Sequence, residues 1–363
     1  MTRFRFYVFL LGALIVSMGR AAQADNATTS GSAAGPEVTH GAGEFETGGR
    51  ITLLDENDYF ASHDDRHYTQ GAELSYLSDS VRPGGFWDRP FAVLAENTPI
   101  FGGAEHKRKY EVVVGQSIFT PTNTLAVDPS GKDRPYAAWF YTGGSLLQET
   151  THRDYHTLEN VELLMGVVGP AALGGVTQND FHEFINEPAS QGRENQLTNE
   201  PGFMVTYERK WRFEEPLAGD FGVDAIPEAG VTLGNVLTYG EVGGIVRIGQ
   251  NLSADYGPGR VRPSLSGTAW FDPEQLKGRL GWYLFAGTQG RAVAHNIFLD
   301  GNTVARSPSV STRPLVADFM GGVSLFWSTA ARIDFTVTQR TKEFYSQTGH
   351  PDRFGGVNLT VQF

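Results

Sequence analysis

Apolar and polar residues alternate along most of this chain, and the alternation is clearest at its end. Val357, Leu359 and Val361 enclose the polar residues Asn358 and Thr360. The block 331–338 (ARIDFTVT) has the same period of two. Successive side chains of a strand point to opposite faces, so this period predicts strands with one apolar face. The chain is therefore predicted to be all-β.

Twelve blocks of this kind can be marked along the sequence, with 263–271 as a candidate for an additional strand. Twelve is an even number, as a closed antiparallel barrel with both ends on one side requires. The predicted strands are 47–56, 68–78, 109–119, 137–148, 156–168, 202–212, 226–237, 240–250, 281–291, 317–328, 331–340 and 354–363.

Alternation alone does not separate a soluble sandwich from an outer-membrane barrel, because only the surroundings of the apolar face differ. Three features favour the barrel. The chain ends on an aromatic residue, Phe363, at the close of an alternating block. Aromatic residues make up 12% of the chain and often fall near predicted strand ends, as at Trp139, Trp282 and Trp327. The 44 glycines suit a fold with many turns and close strand contacts. We therefore predict a twelve-stranded antiparallel transmembrane β-barrel.

The connections between the predicted strands differ in length. The long polar connections 79–108, 120–136, 169–201 and 251–280 are predicted to be extracellular loops. Thr238-Tyr239 and Thr329-Ala330 are predicted to be tight periplasmic turns.

The N-terminus predicts export. Arg3 and Arg5 precede an apolar run from Phe6 to Met18, and Ala22-Gln23-Ala24 provides the small residues of a cleavage site. The run is shorter than the ~20 residues of a membrane-spanning helix. We therefore predict a signal peptide at 1–24, a disordered lead at 25–45 and the barrel domain at 46–363.

Charge and composition limit the kinds of binding partner and site that are expected for this protein. The formal net charge is −12, and it becomes −15 when the three arginines of the predicted signal peptide are removed. An acidic exported protein is not expected to bind nucleic acid, while excess carboxylate beside anionic lipid suggests divalent cations, although solubility alone also explains it. There is no cysteine, so disulfides and thiolate sites are excluded.

The segment Gly169–Asn186 differs from its surroundings. A helix there would stack Gln178 and His182, four residues apart, on one face, with Phe181 and Ile185 forming an apolar face beside them. A histidine with an amide one turn before it can act as a general base. A histidine on a short helix is also commonly structural, so the spacing alone leaves both roles open.

Three further groups of residues could carry chemistry. Asn57 and Asp58 follow the first strand, where such residues often form turns, but their oxygens are also suitable ligands for Ca²⁺. Thr69 could present a hydroxyl to a site or be an ordinary strand residue. Lys132 and Arg134 could bind phosphate at a membrane surface or be snorkelling interfacial cations. The histidines His63 and His67 are expected to be solvated loop residues.

Taken in order, these stretches resemble the outer-membrane lipid A 3′-O-deacylase family. The similarity covers most of residues 46–363. Its ordered motifs are END-Y-F at Glu56–Phe60, D-R-x-Y-T-x-G at Asp65–Gly71, TP at Thr120-Pro121, DRPYAAW at Asp133–Trp139, G-P-x-x-L-G-x-x-x-Q-N-x-x-H at Gly169–His182 and NEPG at Asn199–Gly202.

The resemblance implies a Ca²⁺-dependent esterase at the extracellular end of the barrel, which removes the 3′-linked acyloxyacyl chain of lipid A. It implies catalytic or positioning roles for Asn57, Thr69, Gln178 and the essential His182, with Asp58 and Glu187 as metal ligands. For the ligand assigned to Glu187, the position that aligns better with the family's acidic residue is occupied by Pro188.

The sequence departs from the family at the stretch 123–126 (NTLA), where the family has a lysine. Lys132 is the substitute that the loop offers, and it is grouped with Arg134 as substrate-binding.

Two mechanisms and two rival functions stay open at this stage. His182 could activate water directly, or it could activate Thr69 as the nucleophile. The rivals are a phospholipase-type barrel and a non-enzymatic porin or structural barrel. The expected setting is the outer membrane of a Gram-negative bacterium, with lipopolysaccharide as substrate and the protein as a monomer.

Overall fold

Twelve strands close into one antiparallel barrel, as the alternation predicts. The computed structural model describes residues 49–362 except 63–64, 104, 128–130, 262–269, 277–279 and 328–330. Each strand pairs with its sequence neighbours, and β1 pairs with β12 to close the barrel. The strands are β1 (Arg50–Asn57), β2 (His67–Leu77), β3 (His106–Thr120), β4 (Ala137–Thr151), β5 (His156–Val168), β6 (Glu200–Ala218), β7 (Phe221–Gly234), β8 (Leu237–Gln250), β9 (Leu280–Asn296), β10 (Leu315–Trp327), β11 (Ala331–Arg340) and β12 (Asp352–Gln362).

The polar face of the alternation lines the lumen and the apolar face points outward. On β11, Arg332 and Asp334 are buried, whereas Phe335 and Val337, which follow them on the opposite face, are exposed. A soluble sandwich would show the opposite arrangement, because its apolar face would be the buried one. The alternation is therefore that of a membrane barrel.

The lumen is packed with side chains. A chain segment between β8 and β9 enters it and places Asp255 between the guanidinium groups of Arg247 and Arg332. The hydroxyl of Tyr283 donates to the same carboxylate at 3.0 Å. Trp270 from this connection is also fully buried. Asp334 joins the same network by accepting a hydrogen bond from Nε of Arg332 at 2.8 Å.

Antiparallel pairing corrects the predicted loop positions. Alternate connections lie at opposite ends, so the described parts of 121–136 and 169–199 share one end of the barrel. The described parts of 78–105 and 251–279 lie at the other end, with the termini of the barrel, which are the start of β1 and the end of β12. The predicted extracellular position of 79–108 and 251–280 is therefore wrong. Thr238 and Tyr239 lie within β8, and the turn before it falls at 235–236. Sequence alternation does not encode which end a loop occupies.

Some predictions fall on other parts of the chain. The signal peptide, the lead, His63, Thr329-Ala330 and Phe363 lie outside the described residues, as does most of the candidate strand 263–271. Within that candidate strand, Phe271 forms a single bridge with Asp255.

Within the part of the chain that the structure describes, three α-helices accompany the barrel: α1 (Arg89–Asn97), α2 (Gly174–Ile185) and α3 (Ile297–Asp300). Helix α3 buries Phe298 against Phe119 near the mouth of the lumen, with ring centroids 4.1 Å apart. Among the described residues, none of the helices is both long enough and apolar enough to cross a membrane.

Candidate functional site on the outer wall

Helix α2 forms where the spacing of Gln178 and His182 predicts it. It ends at Asn186, whose left-handed backbone conformation (φ 58°) is a common way to stop a helix. Gly174 opens it, and a Cβ there would lie 2.4 Å from the Cβ of Ala138 on β4. The glycine therefore allows the helix to approach the barrel wall closely.

The helix buries its polar face. Gln178 is 2% exposed and His182 is 6% exposed, whereas Phe184 is 80% exposed. Phe181 and Ile185, predicted to form an apolar face, are only half-buried. A helix of a soluble domain packs its apolar face inward, so this one has the reverse orientation.

The wall that the helix covers is the outside of the barrel. Phe119 and Trp139 belong to a core cluster that joins residues of β2, β6, β8 and β12, which meet only across the lumen. Strand alternation then turns their neighbours Ile118 and Ala138 outward. Both are buried, and both lie beside Gly174 of the helix. The site is therefore on the outer wall, at the end opposite the termini.

Asp65 is the centre of this site and was missed as a functional residue. It lies in the β1–β2 connection, and its two carboxylate oxygens accept hydrogen bonds from Nε2 of Gln178 at 2.7 and 2.9 Å. Oδ2 also lies 3.2 Å from Nε2 of His182. Burial raises the pKa of Asp65, although His182 and hydrogen bonds from Thr124 and Gln178 oppose the shift. Its place in the D-R-x-Y-T-x-G motif was the available signal.

Both ring nitrogens of His182 lie close to oxygen atoms, but among the described residues only Nδ1 makes a hydrogen bond. Nδ1 lies 2.6 Å from the carbonyl oxygen of Pro188, and Nε2 faces Asp65. A carbonyl oxygen accepts hydrogen bonds and donates none, so Nδ1 carries a proton. Nε2 is therefore the ring nitrogen that is able to take up a further proton. The carboxylate beside His182 is thus that of Asp65, which precedes it by more than a hundred residues in the chain.

Gln178 is held at both ends of its amide. Its nitrogen donates to Asp65, and its oxygen accepts from Nη2 of Arg193. Arg193 also donates from Nε to Ser190 at 3.1 Å and stacks over the ring of Tyr136 at 4.5 Å. Burial lowers the pKa of Arg193 to about 10. An arginine therefore brings the positive charge to this site, near the loop in which the family lysine is missing.

Thr69 is connected to the site through a second threonine. The β2–β3 register shifts between Tyr68 and Gln70, so Thr69 lies at a bulge. Its hydroxyl lies 2.7 Å from that of Thr120, which in turn donates to the carbonyl oxygen of Asp65 at 3.4 Å. Among the described residues, the hydroxyl of Thr69 makes no hydrogen bond to His182.

Asn57 and Asp58 shape the turn that follows β1. Oδ1 of Asn57 accepts from the backbone N–H of Tyr59 at 2.8 Å, and Oδ2 of Asp58 accepts from that of Arg66 at 2.9 Å. Both side chains are buried. They hold the loop that carries Asp65, so the turn-forming role is present whether or not a metal role accompanies it.

The remaining predicted site residues lie in different surroundings. Glu187 is exposed just beyond α2, where its backbone N–H donates to the carbonyl of His182 at 2.8 Å. Lys132 is exposed. Arg134 is fully buried, with Nη1 donating to Glu343 at 3.1 Å. The alternative of a snorkelling cation is therefore wrong for Arg134, because burial beside a carboxylate takes it away from the membrane surface.

The expectation of a solvated His67 is also wrong. Its ring is buried, with Nδ1 2.7 Å from Oδ1 of Asp352 and Nε2 3.6 Å from Oδ1 of Asp133. Nε2 also lies 3.2 Å from the hydroxyl of Thr122. His67, the first residue of β2, thereby joins the β3–β4 connection to the start of β12, a role that only the folded barrel reveals.

Comparisons with known proteins give one matching family and several similar solved structures. A family model described as outer membrane protein LpxR matches residues 9–363. The structure of LpxR from Salmonella typhimurium is similar with a TM-score of 0.67 at 20% identity, covering 86% of this chain and all of that one. The translocator domain of the autotransporter NalP from Neisseria meningitidis reaches 0.39 at 11% identity, covering 97% of each chain. No curated protein matches the sequence.

The family match spans nearly the whole chain, and the solved structure shares the twelve-stranded barrel fold. The resemblance carried by the ordered motifs is thereby confirmed. The chain belongs to the family of the outer membrane protein LpxR, the lipid A-modifying family that its motifs resemble.

Proposed function

We propose that this protein hydrolyses the 3′-linked acyloxyacyl ester of lipid A in the outer leaflet of the outer membrane. One observation carries the proposal: Asp65, Gln178 and His182 form a polar cluster on the outer wall of the barrel, at the end opposite the termini. A lipid in the leaflet can reach a site on the wall sideways, without leaving the membrane. Family membership supports the lipid A substrate class.

In the proposed reaction, His182 is the general base. The Pro188 carbonyl fixes the proton on Nδ1, so Nε2 takes a proton from water as the water attacks the acyl carbon. The carboxylate of Asp65 faces Nε2 and stabilises the imidazolium that forms. The imidazolium then returns the proton to the departing alkoxide, which gives the free fatty acid and the sugar hydroxyl.

Gln178 acts as a positioning residue in this scheme. Its amide links Asp65 to Arg193, so it fixes the carboxylate relative to the imidazole. Asn57 acts one step further away, by holding the turn that carries Asp65.

A variant mechanism makes Thr69 the nucleophile, with His182 as its base. Thr69 lies beside the Asp65 loop, so the contacts permit a role for it in the site. A trapped acyl-threonine identifies the variant. Incorporation of ¹⁸O from water into the acid, with no acyl-enzyme detected, identifies direct attack.

The function is tested by expressing wild type, His182→Ala and His106→Ala in an outer membrane and analysing lipid A by mass spectrometry. His106 lies at the opposite end of the barrel and serves as the matched control. Wild type and His106→Ala are expected to remove the 3′ acyloxyacyl chain, whereas His182→Ala leaves it in place. Unchanged lipid A from correctly inserted wild type contradicts the function, and normal product from His182→Ala contradicts the assignment of the base.

The same experiment addresses the rival functions. Release of lysophospholipid by wild type, with lipid A intact, identifies a phospholipase. A porin needs an open lumen, whereas the described part of this lumen is filled by the network around Asp255. Conductance in planar bilayers would reinstate the porin.

Ca²⁺ is part of the proposal because the resemblance implies it. Carboxylate and amide oxygens, as on Asn57, Asp58 and Glu187, are donors that Ca²⁺ prefers. As arranged, no three or more His, Asp or Glu side chains of the described residues form a group that could hold a metal. The residues therefore do not present a complete shell, and no reaction step is assigned to the ion.

Calorimetric titration with Ca²⁺ and Mg²⁺ tests this part separately. Wild type is expected to bind Ca²⁺ and to lose activity in chelator, and Asp58→Asn and Glu187→Gln to bind it more weakly. Full activity in chelator removes Ca²⁺ from the mechanism. Unchanged affinity in either variant removes that residue from the metal shell.

A further inference from the structure

An exposed apolar stripe runs along the side of α2 that faces away from the barrel. Val176 is 48% exposed and Phe184 is 80% exposed, and Leu173 just before the helix is 46% exposed. At about 100° per residue, Val176 and Phe184 lie roughly 80° apart around the axis, opposite Gln178 and His182. Together, Leu173, Val176 and Phe184 form what we call the outer stripe.

The outer stripe lies next to a surface that already faces lipid. Ala172, at the start of the helical segment, accepts a hydrogen bond from Gln116 at 2.5 Å. In the β3–β4 register, Gln116 pairs with Phe140, which is exposed on the outer wall. The next outward-facing pair on β4 and β5 is Thr142 with the exposed Met165. The helix therefore begins at the height of the apolar outer surface and not above it.

We infer that α2 lies in the membrane interface, with the outer stripe against the acyl chains of the outer leaflet. An apolar patch continuous with the lipid-facing wall is covered most favourably by lipid, because acyl chains shield it without a specific partner. This inference does not depend on the proposed reaction.

The polar residues of the helix set its depth. Asp180 lies between Val176 and Phe184 on the same side and is half-buried, and Glu183 is exposed. A carboxylate on the stripe keeps the helix shallow, with the apolar side chains reaching the boundary between headgroups and chains, about 5–10 Å deep. The lipid thus meets the helix on one side, while its other side carries the site residues.

The absence of cysteine from the sequence makes a clean test available. Phe184→Cys is labelled with an environment-sensitive NBD fluorophore in the full-length protein, reconstituted into phosphatidylcholine vesicles. Quenching is measured with lipids that carry a doxyl group near the glycerol end of the chain, and with iodide on both sides of the membrane. Two reference variants are Val242→Cys, exposed on the outer face of β8, and Val304→Cys, exposed in the β9–β10 connection.

The label at position 184 is expected to emit to the blue of that at 304, to be quenched by doxyl lipid as at 242, and to lose most of its iodide quenching. Iodide quenching equal to that at 304 overturns the inference. Protection from both iodide and doxyl lipid also overturns it, because a protein surface, such as a second copy of the chain, then covers the stripe. Val176→Cys repeats the measurement if the variant at 184 does not insert.

Discussion

Two clusters of charged residues differ in how accessible they are from outside the protein. One lies inside the lumen and the other lies on the outer wall of the barrel. Inside the lumen, Asp255 lies between Arg247 and Arg332, and all three are buried. On the outer wall, Asp65 holds Gln178 and faces His182 at the edge of an exposed helix. In the lumen the charges compensate one another, whereas in the outer cluster 29% of the Asp65 side chain stays exposed beside His182, the base of the proposed reaction. Buried charge alone therefore does not indicate a functional site. The cluster must also be accessible to a substrate.

The largest effect is expected from Asp65→Asn, which is nearly isosteric and removes only the charge. The imidazolium of His182 then lacks its counter-ion, and deacylation is expected to fall by roughly 10²–10⁴-fold. The check is the initial rate of fatty-acid release from lipid A in mixed micelles. A rate close to that of wild type would show that Asp65 does not support the base.

The lumen cluster should respond in the opposite manner. Asp255→Asn leaves the guanidinium groups of Arg247 and Arg332 without their shared carboxylate, and breaking such a buried pair costs about 3–5 kcal/mol. We expect a lower unfolding midpoint in urea, with activity per folded molecule unchanged. Asp154→Asn, in the exposed β4–β5 turn, is the control. Lost activity in folded Asp255→Asn would link the two clusters.

A smaller effect is expected where α2 touches the wall. Gly174→Ala places a Cβ within 2.4 Å of the Cβ of Ala138, so the helix must move outward and carry His182 with it. A displacement of this kind is expected to lower activity by up to about 10²-fold, with little effect on barrel stability. Gly131→Ala, in open space, serves as the control, and equal activity in both variants would show that the helix tolerates the shift.

The smallest effect concerns acid. Burial opposes the shift, but the neighbouring imidazole of His67 and hydrogen bonding from Thr122 lower the pKa of Asp133 from 3.8 to about 2. Because this pKa is lower in the folded protein, the stabilisation is present above pH 3.8 and is lost as the pH falls towards 2. Its size is on the order of 1 kcal/mol after solvent screening.

Asp65 has the opposite sign, since burial raises its pKa and its stabilisation is lost as the pH rises through the folded value. As the pH falls, hydrogen exchange relative to its intrinsic rate should therefore speed up in the loops around His67 but not at α2. Asp133→Asn should abolish this acid-induced opening, and equal opening of both regions would contradict the prediction.

Local patterns predicted the elements of the fold well. The alternation at 331–338 correctly predicted a strand with one polar and one apolar face, because the side-chain period of a strand is a property of the backbone. The four-residue spacing of Gln178 and His182 predicted a shared helix face, because the period of a helix is also a property of the backbone. The end of the barrel predicted for 79–108 and 251–280 was wrong, since loop length does not record the direction of the preceding strand.

The sequence by itself determined the barrel, the helix and the family, because each depends on short-range periodicity or on ordered motifs. Only the tertiary structure decided that Asp65 is the partner of His182, and that His67 and Arg134 are buried rather than exposed. These pairings join residues far apart in the chain, and they arise only when the barrel closes and brings its connections together. The same closure places α2 against the outer wall, with Gln178 and His182 turned inward.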